Sequence, residues 1–412
     1  MPSNTVEFLG QYLDLVIKYK FNNSYNNGSN SRKLEDKSNL QKKDVKDWNE
    51  NKIDDYKTHV KNLNNCSYCD TEDNFKTKKN LEEHIKLFHS LQCNFCKLGD
   101  IKTKEDLEKH INELHKIESK YHVDKKIGYG SFGEIHEGRI MDSDEKVAFK
   151  LEIRKTTISL LQNEYEIYKY LNNHKGIPKV YDFESFSNKK YNAMVMELLG
   201  PSLLDLHEKN GDKLSQRIVL QIAIQIIDIL KFIHSKGLIH CDIKPENILM
   251  GRSSTDKEKI VHLIDFGLSK KYFNSNTGKH ISYRENMGTG TGTARYMSIN
   301  THLGHEQSRR DDMESLGFMI VFLMKGRLPW QGLKCKTKQE HMKKICDTKR
   351  TYSIKRLCDN CPIEFKRIML PYFLHVRNLS FEEAPKYDYL KKLFSDICKL
   401  KGYQNDDLKN LK

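Results

Sequence analysis

The sequence predicts an α+β protein in which small ββα units precede a larger domain that begins with strands. Three observations support this prediction. Two Cys/His repeats lie in the N-terminal third of the chain, a glycine-rich segment is followed by a strand pattern, and a helical run follows that strand. At 412 residues the chain is longer than one compact core usually organises, so two or three domains are expected.

Residues 1–20 are predicted to form a short amphipathic helix, because apolar residues follow helical spacing at Phe8, Leu9, Tyr12, Leu13, Val16 and Ile17. Glu7, Gln11 and Asp14 interrupt this stretch, so it is neither a signal sequence nor a membrane span. We expect the helix to pack on a neighbouring element. Residues 21–60 are rich in Asn, Ser, Lys and Asp, a composition typical of a disordered linker.

Residues 61–118 contain two copies of one metal-ligand pattern. Each copy has a C-x2-C pair, a spacer, and two histidines one helical turn apart: Cys66, Cys69, His84 and His89, then Cys93, Cys96, His110 and His115. Two thiolates and two imidazoles can hold a structural zinc ion in a tetrahedron. Both copies resemble C2H2 zinc fingers, which implies two Zn²⁺ ions. Helices carrying unmetallated Cys and His are the alternative.

The binding partner of these two units is predicted from their charge. Lys+Arg and Asp+Glu number 10 and 9 in residues 1–60, and 10 and 11 in residues 61–118, so the net charge of +14 lies beyond residue 118. A near-neutral segment gains little from nucleic-acid phosphates. Only Ser90–Gln92 separates the units, which is shorter than the linker of fingers that follow the major groove. We expect a protein partner or intramolecular docking, with nucleic acid as the alternative.

The ten cysteines predict an intracellular, reducing compartment, without distinguishing cytoplasm from nucleus. Four of them belong to the two Cys/His repeats, and the others are scattered without a paired framework. Cys358 and Cys361 form a further C-x-x-C pair, but no second pair lies at ligand spacing. We expect these two residues to be structural.

A glycine-rich segment, Ile127–Ile135, predicts a phosphate-binding turn. Its backbone amides can approach phosphates closely because side chains are missing at Gly128, Gly130 and Gly133. Val147–Lys150 is predicted to be a strand that ends in Lys150, seventeen residues after Gly133. This lysine is predicted to hold the α- and β-phosphates. Glu164, on the helical run Leu160–Leu171, is the expected ion-pair partner of this lysine, and Glu166 is the alternative partner.

The segment Ile239–Leu249 resembles the catalytic loop of protein kinases at all but one of its signature positions, and Asp265–Gly267 follows it at the matching distance. The resemblance implies that Asp242 accepts the substrate hydroxyl proton and that Lys244 stabilises the transferring phosphoryl charge. It assigns Mg²⁺ binding to Asn247 and Asp265. Lysine at 244 indicates serine or threonine substrates.

The exception in this loop is Cys241, which replaces the arginine that grips a phosphorylated activation loop in many kinases. We therefore expect no phosphorylation switch through this contact. A small buried substitute is the expected role of Cys241, with a reactive thiol as the alternative. Catalysis does not require a charge at this position.

Several further stretches resemble the casein kinase 1 family: Val195–Ser202, Asp265–Tyr272, Tyr283–Asn286, Gly292–Asn300, His302–Gly317 and Leu328–Lys334. The resemblance covers roughly Val123–Tyr403. It implies a bilobal protein kinase fold in a domain at 121–412, with a β-rich N-lobe near Tyr121–Glu197 and a helical C-lobe beyond it.

The resemblance also implies an ATP site with Met196 as gatekeeper. The ATP-binding residues it assigns are Ile127, Gly128, Gly130, Gly133, Ile135, Ala148, Lys150, Met196, Glu197 and Leu199. Thr293 is expected to hydrogen-bond the region of Asp242 and Lys244, and Asp312 to anchor the catalytic-loop backbone.

An anion site for acidic or phosphorylated residues of the substrate is assigned to Arg295, Lys338 and the Gly332 backbone. Met287 and His341 stand where the family usually has lysines, so the preference for phosphorylated substrates is expected to be weaker. The sequence thus predicts a serine/threonine kinase that transfers phosphate from Mg-ATP to acidic or phosphorylated protein substrates. A pseudokinase scaffold and a zinc-finger factor that binds nucleic acid are the alternatives.

Overall fold

The computed structural model describes residues 117, 120–129, 133–153, 159–172, 174–186, 191–253, 255–274, 276–286, 288 and 290–403. The predicted helix at 1–20, the linker at 21–60 and all eight proposed zinc ligands lie outside the described residues. The described part has two lobes, a β-sheet lobe followed by a helical lobe, and is α+β as predicted.

The N-lobe is built on one antiparallel sheet with the strand order β1-β2-β3-β5-β4. The strands are β1 (Tyr121–Tyr129), β2 (Glu134–Ile140), β3 (Lys146–Ile153), β4 (Val180–Phe186) and β5 (Tyr191–Glu197). Side chains alternate between the faces of a strand, so Val147 and Phe149 join a small outer core around Tyr121. Ala148 and Lys150 consequently face the other side of the sheet.

Helix α1 (Leu160–Tyr170) follows β3. Ser159 caps it, since the Ser159 side chain accepts a hydrogen bond from the backbone nitrogen of Gln162. Leu161, Glu164 and Tyr168 are buried, and their spacing of three and four residues places them on one face of the helix. This face lies toward the centre of the domain, which brings Glu164 to Lys150 in the middle of β3.

The C-lobe consists of eight helices in the described residues. They are α2 (Leu203–Lys209), α3 (Gln216–Ser235), α4 (Ile299–His302), α5 (Arg309–Lys325), α6 (Lys338–Thr351), α7 (Ile354–Leu357), α8 (Ile363–Asn378) and α9 (Tyr387–Leu400). Helices α3 and α5 contribute more residues to the main core than the other helices do, and both are buried along much of their length.

Among the described residues, α3 alone is long and apolar enough to cross a membrane by length and composition, with 61% of its most apolar window buried inside the protein. Its apolar residues belong to the main hydrophobic core of the domain. The length and hydropathy of α3 therefore match its position as a core helix.

Three two-stranded ladders hold the loops between the helices. They pair β6 (Leu238–Ile239) with β9 (Lys270–Lys271), β7 (Ile248–Met250) with β8 (Val261–Leu263), and β10 (Phe273–Asn274) with β11 (Lys279–His280). Asp242 and Asn247 lie between β6 and β7, and Asp265 follows β8. The first two ladders thus bring the two predicted catalytic segments side by side.

Candidate active site

A cavity of about 530 Å³ lies between the N-lobe sheet and the C-lobe. The predicted ATP-binding residues that line it are Ile127, Gly128, Ile135, Ala148, Lys150, Met196, Glu197 and Leu199. Lys244, Asn247 and Asp265 line the same cavity. Residues from five separate segments of the sequence therefore meet at one site.

The other two predicted glycines are Gly130 and Gly133. Gly130 lies outside the described residues. Gly133 is not among the residues that line the cavity and packs against β3, where an added Cβ would lie 2.0 Å from the backbone oxygen of Leu151. The close approach of two backbones therefore requires glycine at this position.

Lys150 forms the predicted ion pair with Glu164 and also pairs with Asp265, a contact that was not predicted. Lys150 Nζ donates to the Glu164 oxygens at 2.9 and 2.7 Å and to Asp265 Oδ1 at 2.9 Å. Burial lowers the pKa of Lys150, but attraction to the two carboxylates outweighs burial and holds this pKa above its usual value. The lysine is therefore charged and can hold phosphate oxygens. Glu166, the alternative partner, is exposed and faces Lys169.

Asp265 is held by contacts that the sequence did not predict. Its backbone is left-handed, with φ of 66°, and its backbone nitrogen donates to the Tyr168 hydroxyl at 3.0 Å. The ring of Tyr168 packs edge-on against Phe266 at 5.0 Å. Tyr168 lies four residues after Glu164 on α1, so one helix face fixes both the lysine partner and the Asp265 backbone.

Asp242 lies in a dense hydrogen-bond network. Its Oδ1 accepts from the backbone nitrogen and the hydroxyl of Thr293, both at 2.8 Å, which places Thr293 where it was predicted. Its Oδ2 accepts from Lys244 Nζ at 2.5 Å. These bonds fix the orientation of the carboxylate, as a proton acceptor in phosphoryl transfer requires.

Asp312 anchors the catalytic loop, in agreement with its predicted role. Its carboxylate accepts from the backbone nitrogens of His240 and Cys241 at 2.7 and 2.9 Å, and from His234 Nε2 at 3.0 Å. Burial raises the pKa of Asp312, but the bonds from His234 and the backbone outweigh burial and hold this pKa below its usual value. The loop is therefore held by a buried, charged carboxylate.

The oxygen atoms of Asn247 and Asp265 fit a hard cation such as Mg²⁺, which prefers oxygen ligands. The Asn247 amide nitrogen donates to the backbone oxygen of Asp242 at 3.0 Å, so the amide oxygen is the atom left for a metal. Asp265 supplies a carboxylate in the same cavity. The donor set matches the predicted magnesium site.

Cys241 is buried and has a left-handed backbone, with φ of 68°. Burial raises the pKa of its thiol well above the usual value, which opposes formation of the reactive thiolate. The structure therefore favours a small buried substitute over a reactive thiol. Cys358 and Cys361 are also buried, and burial raises the pKa of both thiols.

A buried carboxylate, that of Glu306, acts electrostatically on Cys241. Glu306, whose side chain is 1% exposed, pairs with Lys270 and with Arg284. Burial raises the pKa of Glu306, but hydrogen bonds from the two cations outweigh burial and hold this pKa below its usual value. Lys270 and Arg284 bracket residues 271–283, so Glu306 holds both ends of this stretch against the loop between α4 and α5.

The predicted anion-site residues lie on three segments of the C-lobe. Arg295 follows Thr293, and its backbone oxygen accepts from Trp330 Nε1 at 2.7 Å. Gly332 has φ of 77°, and Lys338 begins α6 as an exposed residue. The Trp330 bond connects the segment of Arg295 to the loop of Gly332.

Glu197 ends β5 at the junction of the two lobes, which we call the hinge. A contact that the sequence did not predict holds its side chain. Lys257, on the loop between β7 and β8, donates to both Glu197 oxygens at 2.7 and 2.8 Å. Met196 is buried and pairs with Ala148 across the sheet. The cavity is completed by further residues that the sequence analysis missed: Leu249, Ile264, Ser202 and Asp205.

The missed residues gave little signal in the sequence. Leu249 and Ile264 lie within two residues of predicted metal ligands, and strand alternation could have placed Leu249 on the same face as Asn247. Nothing local distinguishes Lys257 from its neighbouring lysine. Its contact with Glu197 depends on the fold.

The model of one protein family matches this chain. The family is described as the protein kinase domain, and the match spans residues 121–400. Domains of this kind are transferases that use ATP and Mg²⁺. Because the match covers more than half of the 412 residues, the protein belongs to the protein kinase family.

Proposed function

We propose that this protein is a serine/threonine kinase similar to casein kinase 1, acting on hydroxyls in acidic or already phosphorylated protein segments. One observation carries the proposal: the Lys150, Glu164 and Asp265 cluster lies in the same cavity as Lys244, whose amine holds the Asp242 carboxylate. Phosphate-binding and proton-accepting groups are thus present together.

In the proposed reaction, the oxygen of the substrate hydroxyl forms a bond to the γ-phosphorus of ATP. Asp242 accepts the proton that this hydroxyl loses. The bond from that phosphorus to the bridging oxygen of the β-phosphate breaks, and ADP leaves. Lys244 stabilises charge on the transferring group, and Lys150 holds the α- and β-phosphates. Mg²⁺ held by Asn247 and Asp265 would supply neutralisation of the phosphate charge.

The preference for acidic or phosphorylated substrates is supported by charge. The positive charge of the chain lies beyond residue 118, and a positive surface attracts acidic partners. We assign the upstream acidic or phosphorylated residue of the substrate to Arg295, the Gly332 backbone and Lys338. The family resemblance supports this assignment.

The N-terminal pattern supports a further part of the proposal. Two structural Zn²⁺ ions would be held by the Cys/His sets that begin at Cys66 and at Cys93, as the ligand spacing indicates. We propose that these units bind protein, with nucleic acid as the alternative, and that the enzyme works in a reducing intracellular compartment.

Transfer of labelled γ-phosphate from Mg-ATP to casein, beside an Asp242→Asn variant, tests the kinase proposal. We expect turnover by the unmodified protein and its loss in the variant, because asparagine cannot accept the proton. A protein that binds ATP but phosphorylates neither casein, acidic or phosphorylated peptides nor itself would be a scaffold.

Metal analysis of the purified full chain tests the zinc proposal, with roughly two zinc ions per chain expected and fewer than about one contradicting it. Binding of the full chain to duplex and single-stranded probes at low and high salt tests the alternative partner. Strong salt-dependent binding that Cys66→Ser abolishes would favour nucleic acid.

A further inference from the structure

Buried side chains donate hydrogen bonds to the backbone that follows Thr293. Thr293 bonds directly to Asp242, so the next few residues lie beside the proposed proton acceptor. The backbone oxygens of Ala294, Arg295 and Met297 each accept a hydrogen bond from a side chain of the C-lobe. We call residues 294–297 the substrate loop, since Arg295 belongs to the proposed anion site.

Lys349 makes two of these bonds. It lies on α6 and is 1% exposed, and its amine donates to the backbone oxygens of Ala294 at 2.8 Å and Met297 at 2.6 Å. The same amine lies 3.1 Å from His302 Nε2. The three N–H directions of the lysine thus meet two loop carbonyls and one imidazole.

Two neighbours complete the support. Trp330 donates to the Arg295 backbone oxygen, and its ring centroid lies 5.0 Å from the Lys349 amine. His302 Nε2 lies 3.2 Å from the Ala294 oxygen. Trp330 therefore holds the loop directly, while His302 Nε2 either accepts from the lysine amine or donates to the Ala294 oxygen, according to its tautomer.

The burial of Lys349 is not explained by an ion pair. Its hydrogen-bond partners are two carbonyl oxygens and an imidazole, while the nearby Glu314 is bonded to Arg377 and to the backbone of Ile299. Burial holds the pKa of Lys349 well below its usual value. Burying this amine carries a desolvation cost that its hydrogen bonds offset, and two of those bonds go to the backbone of the substrate loop.

We propose that Lys349 is a positioning residue for the protein substrate: it fixes the substrate loop so that the target hydroxyl is presented to Asp242. This inference rests on the proposed kinase function and adds to it a residue that touches neither ATP nor the reacting atoms. Loss of Lys349 leaves the ATP cavity intact, because none of the residues that line that cavity contacts its amine.

Steady-state kinetics of Lys349→Met with an acidic serine peptide and Mg-ATP test the proposal. Methionine fills a similar volume without donating hydrogen bonds. We expect the KM for the peptide to rise roughly tenfold, with the KM for ATP and the Kd for a fluorescent nucleotide unchanged. Lys343→Met, an exposed substitution on the same helix, is the matched control and should change none of these values.

A merely structural role would give a different result. An equal rise in the KM for the peptide and the KM for ATP would overturn the positioning role while leaving the kinase function intact. A fall in melting temperature with an unchanged KM for the peptide would do the same. An unmodified protein without phosphotransfer would overturn both. If Lys349→Met does not fold, Trp330→Phe removes the bond to the Arg295 oxygen and part of a buried ring while keeping an aromatic core residue, and the same separation of the two KM values is then expected.

Discussion

The Asp242 carboxylate receives two hydrogen bonds of 2.8 Å from Thr293, one from the backbone nitrogen and one from the hydroxyl. The backbone of Gly292, the preceding residue, has φ of 113°, and a Cβ there would lie 2.6 Å from the Cys241 backbone oxygen. The segment thus reaches the catalytic loop through a backbone conformation that favours glycine.

Replacing Thr293 with valine should lower kcat roughly tenfold, because the carboxylate loses one of the bonds that orient it. The KM for ATP should not change. Thr351→Val, at an exposed position on α6, serves as the control. A kcat equal to that of the unmodified protein would show that the backbone bond alone orients Asp242.

The two glutamates of α1 should respond differently to substitution. Glu164→Gln should reduce kcat by about tenfold or more, since the amide cannot neutralise Lys150 in a buried site. Glu166→Gln, at an exposed position one half-turn away, should remain within about twofold of the unmodified enzyme. Similar losses in both variants would contradict the assignment of Glu164.

Lys257→Met should raise the KM for ATP severalfold without changing the KM for the peptide. The reason is that Glu197 loses the lysine that holds the hinge backbone in place. A swapped pair, Lys257→Glu with Glu197→Lys, should recover part of the affinity. The exposed substitution Lys355→Met is the control, and nucleotide binding by fluorescence is the measurement.

His302 should make the protein sensitive to acid. Burial, with the nearby Lys349, lowers the pKa of His302 to about 3. A histidine whose folded-state pKa lies below its unfolded value stabilises the folded state above the unfolded pKa, and this stability is lost as the pH falls toward the folded pKa. Below about pH 6.5 the loss approaches about 1.4 kcal/mol for each pH unit.

Urea unfolding at pH 7 and pH 5 measures this effect. The free energy of unfolding of His302→Gln should depend less on pH than that of the unmodified protein, by about 1 to 2 kcal/mol over this interval. His305→Gln, a histidine three residues away, is the comparison. Parallel pH profiles for the two variants would show that His302 is not the responsible group.

The sequence was sufficient to predict which charged and amide side chains come together in the candidate active site. Few other folds share the order and spacing of Lys150, Asp242, Asn247 and Asp265. Each of these residues is recognised from its immediate neighbours in the sequence. The alternation of β3 and the helical spacing around Glu164 then placed two side chains on facing surfaces. These predictions needed no knowledge of the tertiary packing.

The supporting residues could not be predicted in this way. The bonds from Lys349 to Ala294 and from Lys257 to Glu197 join residues more than fifty positions apart, and neither lysine differs in its local pattern from exposed ones. Tyr168 has the spacing of any core residue on α1. Their roles come from pairs that form only when the chain is folded.

Glu306 has a consequence for how such an enzyme is governed. Its buried charge holds Lys270 and Arg284 in the part of the fold where other kinases await a phosphate added by another enzyme. Here the anion is the carboxylate of a side chain, and it is present as soon as the chain folds. Lys270 and Arg284 therefore meet a carboxylate that belongs to the chain, and this contact does not depend on a later modification.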